Sequence, residues 1–235
     1  MIDFTNKKIM VVVAHPDDEL LGLGASMNKL IFKNNVNIHV VILGEGITSR
    51  SDQRNREKFK NELLLHRENI YLAKKKIGYH SISIYDLPDN RFDSLNLLDI
   101  IKIVEKEKIN FKPDIVFTHH GGDLNVDHRY VFNSVITAFR PTPNENVRTI
   151  ICFETPSGTE WKSPSDPFHF VPNFFISLSI ENVKAKIAGM ECYENEKRLY
   201  PHPRSPEALK IMAQQIGIKI GYEYAEAFCI IRSIN

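Results

Sequence analysis

The chain has 235 residues, of which 43% are hydrophobic and 25% are charged, and its formal net charge is +1. This size and composition are typical of one globular domain over residues 1–235, and the balanced charge argues against a binder of nucleic acid. Three widely spaced cysteines argue against a disulfide framework and a thiolate zinc site.

The first residues and the hydropathy of the chain predict its location. The first residues, "MIDFTNKK", are polar and lack the pattern of a signal peptide. A helix that spans a membrane needs roughly 18 or more apolar residues in a row, and no apolar segment of this chain approaches that length. We therefore expect a soluble, cytoplasmic protein without a transmembrane segment.

Short apolar segments alternate with longer segments of helical periodicity along most of the chain. Strands are predicted at residues 8–14, 37–43, 80–87, 114–118, 148–154, 174–180 and 225–231. Helices are predicted at residues 19–34, 51–76, 95–108, 126–139, 181–198 and 205–221. This alternation is typical of βαβ units, so we predict a Rossmann-like, doubly wound α/β fold with a mostly parallel sheet and helices on both faces.

Polar residues follow three of the predicted strands directly. They are "AHPDDE" after the first strand, "GEG" and Arg50 after the second, and "HHGGDLNVDHR" after the fourth. Ligand sites of doubly wound folds lie at the carboxyl ends of the strands, where the strand order reverses. We therefore expect these loops to converge on one edge of the sheet.

The three adjacent carboxylates of "AHPDDE" suggest a bound cation. Burying such a cluster without a partner costs several kcal/mol, and a divalent metal would offset the repulsion. One histidine and one carboxylate of this loop, with a histidine of "DLNVDHR", form the three-ligand set of a catalytic zinc site. The same ligands also suit iron, so the spacing leaves the metal open.

The same residues also allow interpretations other than a metal site. Acidic residues at a helix start are favoured by the helix dipole without any ion. The stretch "DLNVD" resembles a calcium loop, but His128 and Ser134 stand where that loop needs Gly and Glu. Asn125 and Asp127 are candidate caps of the following helix, and we expect Asp127 also to orient His128. For His119 and His120 a supporting or surface position is an equal alternative. A dinucleotide fingerprint, a P-loop and a serine-esterase elbow are absent from the sequence.

The motifs "AHPDDE" and, much further along the chain, "DLNVDHR" resemble those of the PIG-L (LmbE-like) zinc-dependent N-deacetylases. "TPSGTEW" and "PHPRSPEAL" are similar to segments of the bacterial branch found in sugar and polysaccharide biosynthesis, so the resemblance covers nearly the whole chain. It implies Zn²⁺ held by His15, Asp18 and His128, with a zinc-bound water as nucleophile and Asp17 as general base.

One position departs from the family pattern. Other members carry His-Pro-Asp-His in the second motif, where the earlier histidine stabilises the oxyanion or donates a proton. Asn125 occupies that position here. His202 is our first candidate for the missing group and His120 the second, with Asn125 as a further oxyanion donor.

The function implied by the resemblance is removal of the N-acetyl group from an amino sugar that is free, nucleotide-linked or lipid-linked. The predicted substrate-binding residues are Arg50, Glu45, Asp89, Asn90, His120 and Trp161. The alternatives are hydrolysis of another N-acyl or N-formyl amide and, more distantly, a non-enzymatic metal-binding α/β module. The family resemblance is also consistent with a homo-oligomer.

Overall fold

The computed structural model describes residues 2–143 and 145–234. Within these residues the chain forms one seven-stranded sheet in the order β3-β2-β1-β4-β5-β7-β6. The strands are β1 Lys8–Val13, β2 Asn37–Gly44, β3 Ser81–Leu87, β4 Ile115–His119, β5 Thr149–Phe153, β6 Phe174–Leu178 and β7 Tyr224–Ser233. The first five are parallel, whereas β7 pairs antiparallel with both β5 and β6.

Helices cover both faces of this sheet, as the predicted doubly wound fold requires. They are α1 Asp18–Asn34, α2 Lys60–Ile77, α3 Leu97–Phe111, α4 Val126–Ala138, α5 Ile180–Met190 and α6 Pro206–Ile220. Residues of α1, α2, α5 and α6 belong to one apolar cluster, and residues of α3 and α4 to the other. The predicted fold class is therefore confirmed.

The central strand β1 shows why the sheet is buried on both faces. Its residues from Ile9 to Val13 have no exposed surface. Ile9, Val11 and Val13 pack in one cluster, while Met10 and Val12 pack in the other, because successive side chains of a strand point to opposite faces. An uninterrupted apolar segment is what such a strand needs.

The polar loops meet at the point where the strand order reverses. β1 lies between β2 and β4, and it is parallel to both. The chain builds outward to β3 on one side of β1 and later to β4 and β5 on the other side. The loops after β1 and β4 therefore leave the same edge of the sheet side by side.

The predicted helix at residues 51–76 is wrong over its first part, because α2 begins only at Lys60. Arg54 and Arg56 of that segment instead form ion pairs with Glu45, at the end of β2. The charged segment carries no apolar periodicity before Phe59, so ion pairs with a residue outside the segment determine its path.

The predicted helix at residues 181–198 is also too long, because α5 ends at Met190. The chain then turns inward and buries Tyr193 completely. The loop at residues 191–205, between α5 and α6, contributes several groups to the candidate site. No helix in the described parts of the chain is long and apolar enough to cross a membrane.

Candidate metal centre and active site

Three predicted metal ligands lie together at the carboxyl edge of the sheet. His15 follows β1, Asp18 begins α1, and His128 lies in the first turn of α4. Their ligand atoms lie within 4.8 Å of one another. Oδ2 of Asp18 is 3.4 Å from Nδ1 of His15 and 3.3 Å from Nε2 of His128. The side chains of Asp18 and His128 are buried, whereas that of His15 is 12% exposed.

Two further carboxylates hold the imidazole rings. Nε2 of His15 is 2.8 Å from Oδ2 of Asp127, and Nδ1 of His128 is 3.2 Å from Oδ1 of Asp123. Nδ1 of His15 and Nε2 of His128 are therefore the nitrogens that face Asp18. Histidines that bind metals usually donate their other N–H to a carboxylate or carbonyl. The His15–Asp127 hydrogen bond has this form, whereas Asp123 lies close to His128 Nδ1 without forming a hydrogen bond.

Neighbouring charges shift the pKa values of Asp18 and His128. Burial alone would raise the pKa of Asp18, but the positive His128 ring outweighs it and holds that pKa well below its ordinary value. Burial likewise disfavours a charged His128, yet the Asp18 and Asp123 carboxylates raise its pKa to about 9. The Asp18 and Asp123 carboxylates thus stabilise a positive charge on the His128 ring.

The supporting residues differ from those expected. Asp127 orients His15 rather than His128, and Asp123 contacts His128 instead. The cap of α4 is Asn125, whose Oδ1 accepts the backbone N–H of Asp127 at 2.8 Å. Because Asn125 accepts the N–H group at the start of α4, the Asp127 side chain is not needed as a cap and contacts His15 instead.

Asp127→Asn is expected to weaken metal binding by about 10–100-fold, the usual cost of losing such a supporting carboxylate. Asp127 accepts two N–H groups, from His15 and from the backbone of Phe92, and asparagine offers only one oxygen for them. A zinc titration measures the effect, with the exposed Asp93→Asn as the matched control. Wild-type affinity in Asp127→Asn would contradict the assigned role.

His119 supports the site without being a ligand. Its Nε2 accepts the backbone N–H of Ala14 at 2.9 Å, and its Nδ1 lies 3.1 Å from the hydroxyl of Thr155. Burial, reinforced by the positive His128 ring, lowers the pKa of His119 to about 4. The neutral ring stacks on His128 at 3.9 Å between centroids and fixes that ligand from one side.

Asp17 is separated from its neighbour Asp18 by backbone geometry. Its φ of 99° is rare for a residue other than glycine. The Asp17 carboxylate contacts Nη1 of Arg204 at 2.8 Å, whereas Asp18 faces the histidines. Burial raises the pKa of the Asp17 carboxyl well above its ordinary value, and the Arg204 guanidinium opposes that rise.

A pocket of about 350 Å³ opens beside these residues, within the usual size range of small-molecule sites. Eight of the predicted site residues line it: His15, Asp17, Arg50, Asp89, Asn90, Asn125, Trp161 and His202. Asp18 and His128 are buried next to it, and His15 joins the ligand group to the pocket wall.

Two predicted substrate contacts lie elsewhere. The Glu45 carboxylate accepts hydrogen bonds from Arg54 and Thr48 and lines a separate cavity of about 380 Å³. Nε2 of His120 lies 2.7 Å from the backbone carbonyl of Phe168. The structure therefore does not bring Glu45 or His120 to the pocket that holds the other predicted residues.

The two candidate oxyanion donors differ in their surroundings. Both nitrogen and oxygen of the Asn125 amide are engaged, since Nδ2 donates to Oδ1 of Asn90 while Oδ1 caps α4. The His202 ring packs edge-on against Trp161 with centroids 5.8 Å apart. Partial burial and the neighbouring Arg204 lower the pKa of His202.

Sequence reasoning missed an ion network in the pocket wall. Nη1 of Arg204 lies between Asp17, at 2.8 Å, and Oε2 of Glu196, at 3.2 Å. Glu196 also pairs with Arg50. The "PHPRS" segment was the only signal for Arg204, and Glu196 stands in a charged run that carries no signal of its own.

Comparison with known proteins relates the chain to deacetylases. A family model described as PIG-L: GlcNAc-PI de-N-acetylase matches residues 10–139. "Uncharacterized deacetylase YaiS" of Escherichia coli (strain K12) is 30% identical over an alignment of 194 positions, which covers 80% of this chain and 91% of that protein. "Diacetylchitobiose deacetylase" of Thermococcus kodakarensis is 24% identical over an alignment of 237 positions, which covers 97% of this chain and 84% of that protein.

A solved structure shares the fold across nearly the whole chain. The zinc-inhibited form of teicoplanin deacetylase Orf2 superimposes with a TM-score of 0.74 at 14% identity. The superposition covers 97% of this chain and 99% of that one. At this low identity the likeness concerns the fold alone.

Proposed function

Because the chain belongs to the PIG-L family, we propose that it is a metal-dependent N-deacetylase acting on an N-acetylated amino sugar or sugar conjugate. The observation that carries this proposal is that His15, Asp18 and His128 lie within ligand distance of one another beside a polar pocket that His15 and Asp17 line. Hydrolysis of an amide needs an electrophile for the carbonyl and a base for the water. The first three residues would hold a metal ion as the electrophile, and Asp17 would be the base.

The proposed metal is zinc, held by His15, Asp18 and His128. Two imidazoles and one carboxylate, with a position left for water or substrate, are a ligand set of catalytic zinc. Bound zinc would lower the pKa of water and polarise the amide carbonyl. A second group that includes His15, with Asp89 and Asp127, also lies within ligand distance. Asp127 is already occupied by two N–H donors, which favours the first set.

Asp17 is the proposed general base. It lines the pocket, stays outside the ligand set and is held by Arg204. Asp17 accepts a proton from the attacking water as the new C–O bond forms. It then passes that proton to the amine nitrogen as the C–N bond breaks, so that the products are acetate and a free amine. Burial supports this exchange because it raises the pKa of the carboxyl, which makes the carboxylate a stronger base.

Other residues of the pocket suit an amino sugar. His202 is the first proposed donor to the oxyanion, and Asn125 is the second because its amide nitrogen already donates to Asn90. Asp89, Asn90 and Arg50 offer hydrogen bonds to hydroxyl groups, and Trp161, 55% exposed, offers an aromatic face. The activity named for the Thermococcus kodakarensis relative, deacetylation of diacetylchitobiose, supports this substrate class.

Acetate release from a panel of sugars tests the proposal. The protein is stripped with a chelator, reloaded with one equivalent of zinc or iron(II), and assayed on N-acetylglucosamine, diacetylchitobiose and a UDP-linked N-acetyl sugar. We expect acetate and free amine in equal amounts, lost on chelation and restored by one equivalent of metal. Excess zinc is avoided because a zinc-inhibited form is known for the neighbour Orf2. No acetate from any sugar with metal bound would contradict the proposal.

An apolar cavity favours a second candidate, hydrolysis of a longer N-acyl group. The cavity measures about 390 Å³, and its apolar lining is Ile187, Met190, Leu199, Pro206 and Leu209. Glu196, Arg198 and Arg204 line both this cavity and the polar pocket. A long acyl chain reaches the apolar cavity only by crossing the ion network of Glu196 and Arg204. We therefore favour an acetyl group as the substrate's acyl group. Matched N-formyl, N-acetyl and N-hexanoyl glucosamine decide between them, and a tenfold higher kcat/KM for hexanoyl would favour the second candidate.

A further inference from the structure

Glu19, the third carboxylate of "AHPDDE", has no part in the proposed ligand set or in the proton transfer. Its side chain is completely buried. Oε1 accepts a hydrogen bond from the Tyr193 hydroxyl at 2.6 Å, and Oε2 accepts one from the backbone N–H of Asp17 at 3.1 Å. Glu19 therefore links the backbone of the proposed base to a tyrosine that lies 174 residues away in the sequence.

The backbone of Asp17 needs such a support. Its φ of 99° and ψ of −28° lie in a region that residues other than glycine rarely adopt. Such conformations persist only where surrounding structure holds them. The Asp17 carbonyl accepts the N–H groups of Leu20 and Leu21, but the Asp17 N–H is taken by Glu19. This backbone conformation turns Asp17 to the pocket while Asp18 faces the histidines.

Tyr193 in turn fixes the Glu19 carboxylate. Tyr193 is completely buried, and its ring meets the His66 ring edge-on with centroids 5.7 Å apart. It belongs to the loop at residues 191–205, which also delivers Arg204 to the Asp17 carboxylate. One loop therefore holds Asp17 twice, at its backbone through Glu19 and at its side chain directly. Tyr193 and Arg204 lie outside the segment that matches the family model.

We propose that Glu19 and Tyr193 are positioning residues that hold Asp17 in the backbone geometry of a general base, an inference that rests on the proposed function. They act through hydrogen bonds and touch neither the substrate nor the ion. The loss of either contact is expected to displace Asp17 and slow turnover, with little effect on substrate binding or metal content.

Tyr193→Phe is the first test because it removes one hydroxyl and keeps the packed ring. We expect kcat to fall about tenfold, within the loss that a misplacement of about 1 Å can cause, with KM and metal content unchanged. Tyr79→Phe is the matched control: Tyr79 is 1% exposed, and its hydroxyl has no hydrogen-bond partner among the described residues. That variant is expected to keep kcat within twofold of wild type.

Two variants of Glu19 provide an independent test. Glutamine keeps an oxygen for the Asp17 N–H and presents its NH₂ group to the Tyr193 oxygen, whereas leucine loses both contacts. We expect Glu19→Gln to retain about tenfold more kcat than Glu19→Leu. Thermal unfolding of each variant identifies any that fails to fold. If Glu19→Leu does not fold, the test uses Tyr193→Phe and Glu19→Gln alone.

The deciding readout is the effect of Tyr193→Phe in the Asp17→Asn background. If Tyr193 acts through Asp17, the substitution costs less than twofold there, because the base has already been removed. An equal loss in both backgrounds, or a kcat of Tyr193→Phe within twofold of wild type, would overturn this inference and leave the proposed function intact. A metal-loaded wild type that releases no acetate from any sugar would overturn both.

Discussion

Replacing Asp17 with asparagine is expected to lower kcat by about 10²–10⁴-fold, the usual contribution of a general base. Asparagine keeps the shape of the side chain, accepts a hydrogen bond from Arg204 and tolerates a positive φ better than most residues. It has no carboxylate to take a proton from water. Metal content should therefore stay at the wild-type value, since Asp17 lies outside the proposed ligand set. Thermal unfolding is expected at a lower temperature than in the wild type, because the Arg204 guanidinium loses a charged partner.

Acetate release at high enzyme concentration, together with elemental analysis of bound metal, checks this result. Asp93→Asn serves as the control, because Asp93 is an exposed aspartate away from the pocket lining. If Asp17→Asn keeps more than a third of the wild-type kcat, the proton must be taken by another group. Loss of metal in Asp17→Asn would move this residue into the ligand set.

Asp18→Asn is expected to deplete the bound metal and bring activity below detection. Asp18 is the only carboxylate of the proposed ligand set, and the neutral amide that replaces it is a weaker ligand. The loss of affinity should exceed the roughly 10–100-fold predicted for the supporting residue Asp127. The amide oxygen still accepts the His15 backbone N–H, which Oδ2 of Asp18 accepts at 2.8 Å, so the loop is expected to fold.

Metal added back distinguishes this variant from Asp17→Asn. Because Asp18→Asn weakens binding, raised metal concentrations should recover part of its activity, whereas Asp17→Asn should not respond. A zinc titration followed by the acetate assay measures both effects. An Asp18→Asn protein that purifies with a full complement of metal and wild-type turnover would contradict the assigned ligands.

Local sequence predicted the elements that carry the site. The apolar segments of β1 and β4 end where "AHPDDE" and "HHGGDLNVDHR" begin, and the structure places those motifs side by side. The prediction was possible because burial on both faces requires an uninterrupted apolar strand, and polar residues directly after such strands lie at one edge of the sheet.

Prediction was wrong where long-range contacts override local preference. Residues 51–59 are charged and compatible with a helix, but Arg54 and Arg56 are drawn to Glu45, whose carboxylate is buried at the end of β2. The same pairing keeps Glu45 away from the pocket. We expected Asp127 to contact His128, but Asp127 contacts His15 and Asp123 contacts His128. These partners depend on the orientations of the two rings, which the spacing of the residues in the sequence does not specify.

The sequence by itself determined the fold class and the identity of the residues that come together after β1 and β4, because both follow from strand burial and from motifs of a few adjacent residues. Tertiary structure alone decided the partner of each carboxylate: Asp17 contacts Arg204, Asp18 faces His128, and Glu19 accepts the Tyr193 hydroxyl. The physical reason is the range of the interactions. Apolar periodicity acts between near neighbours in the chain, whereas buried charges take whichever partner the packed fold brings within a few ångströms.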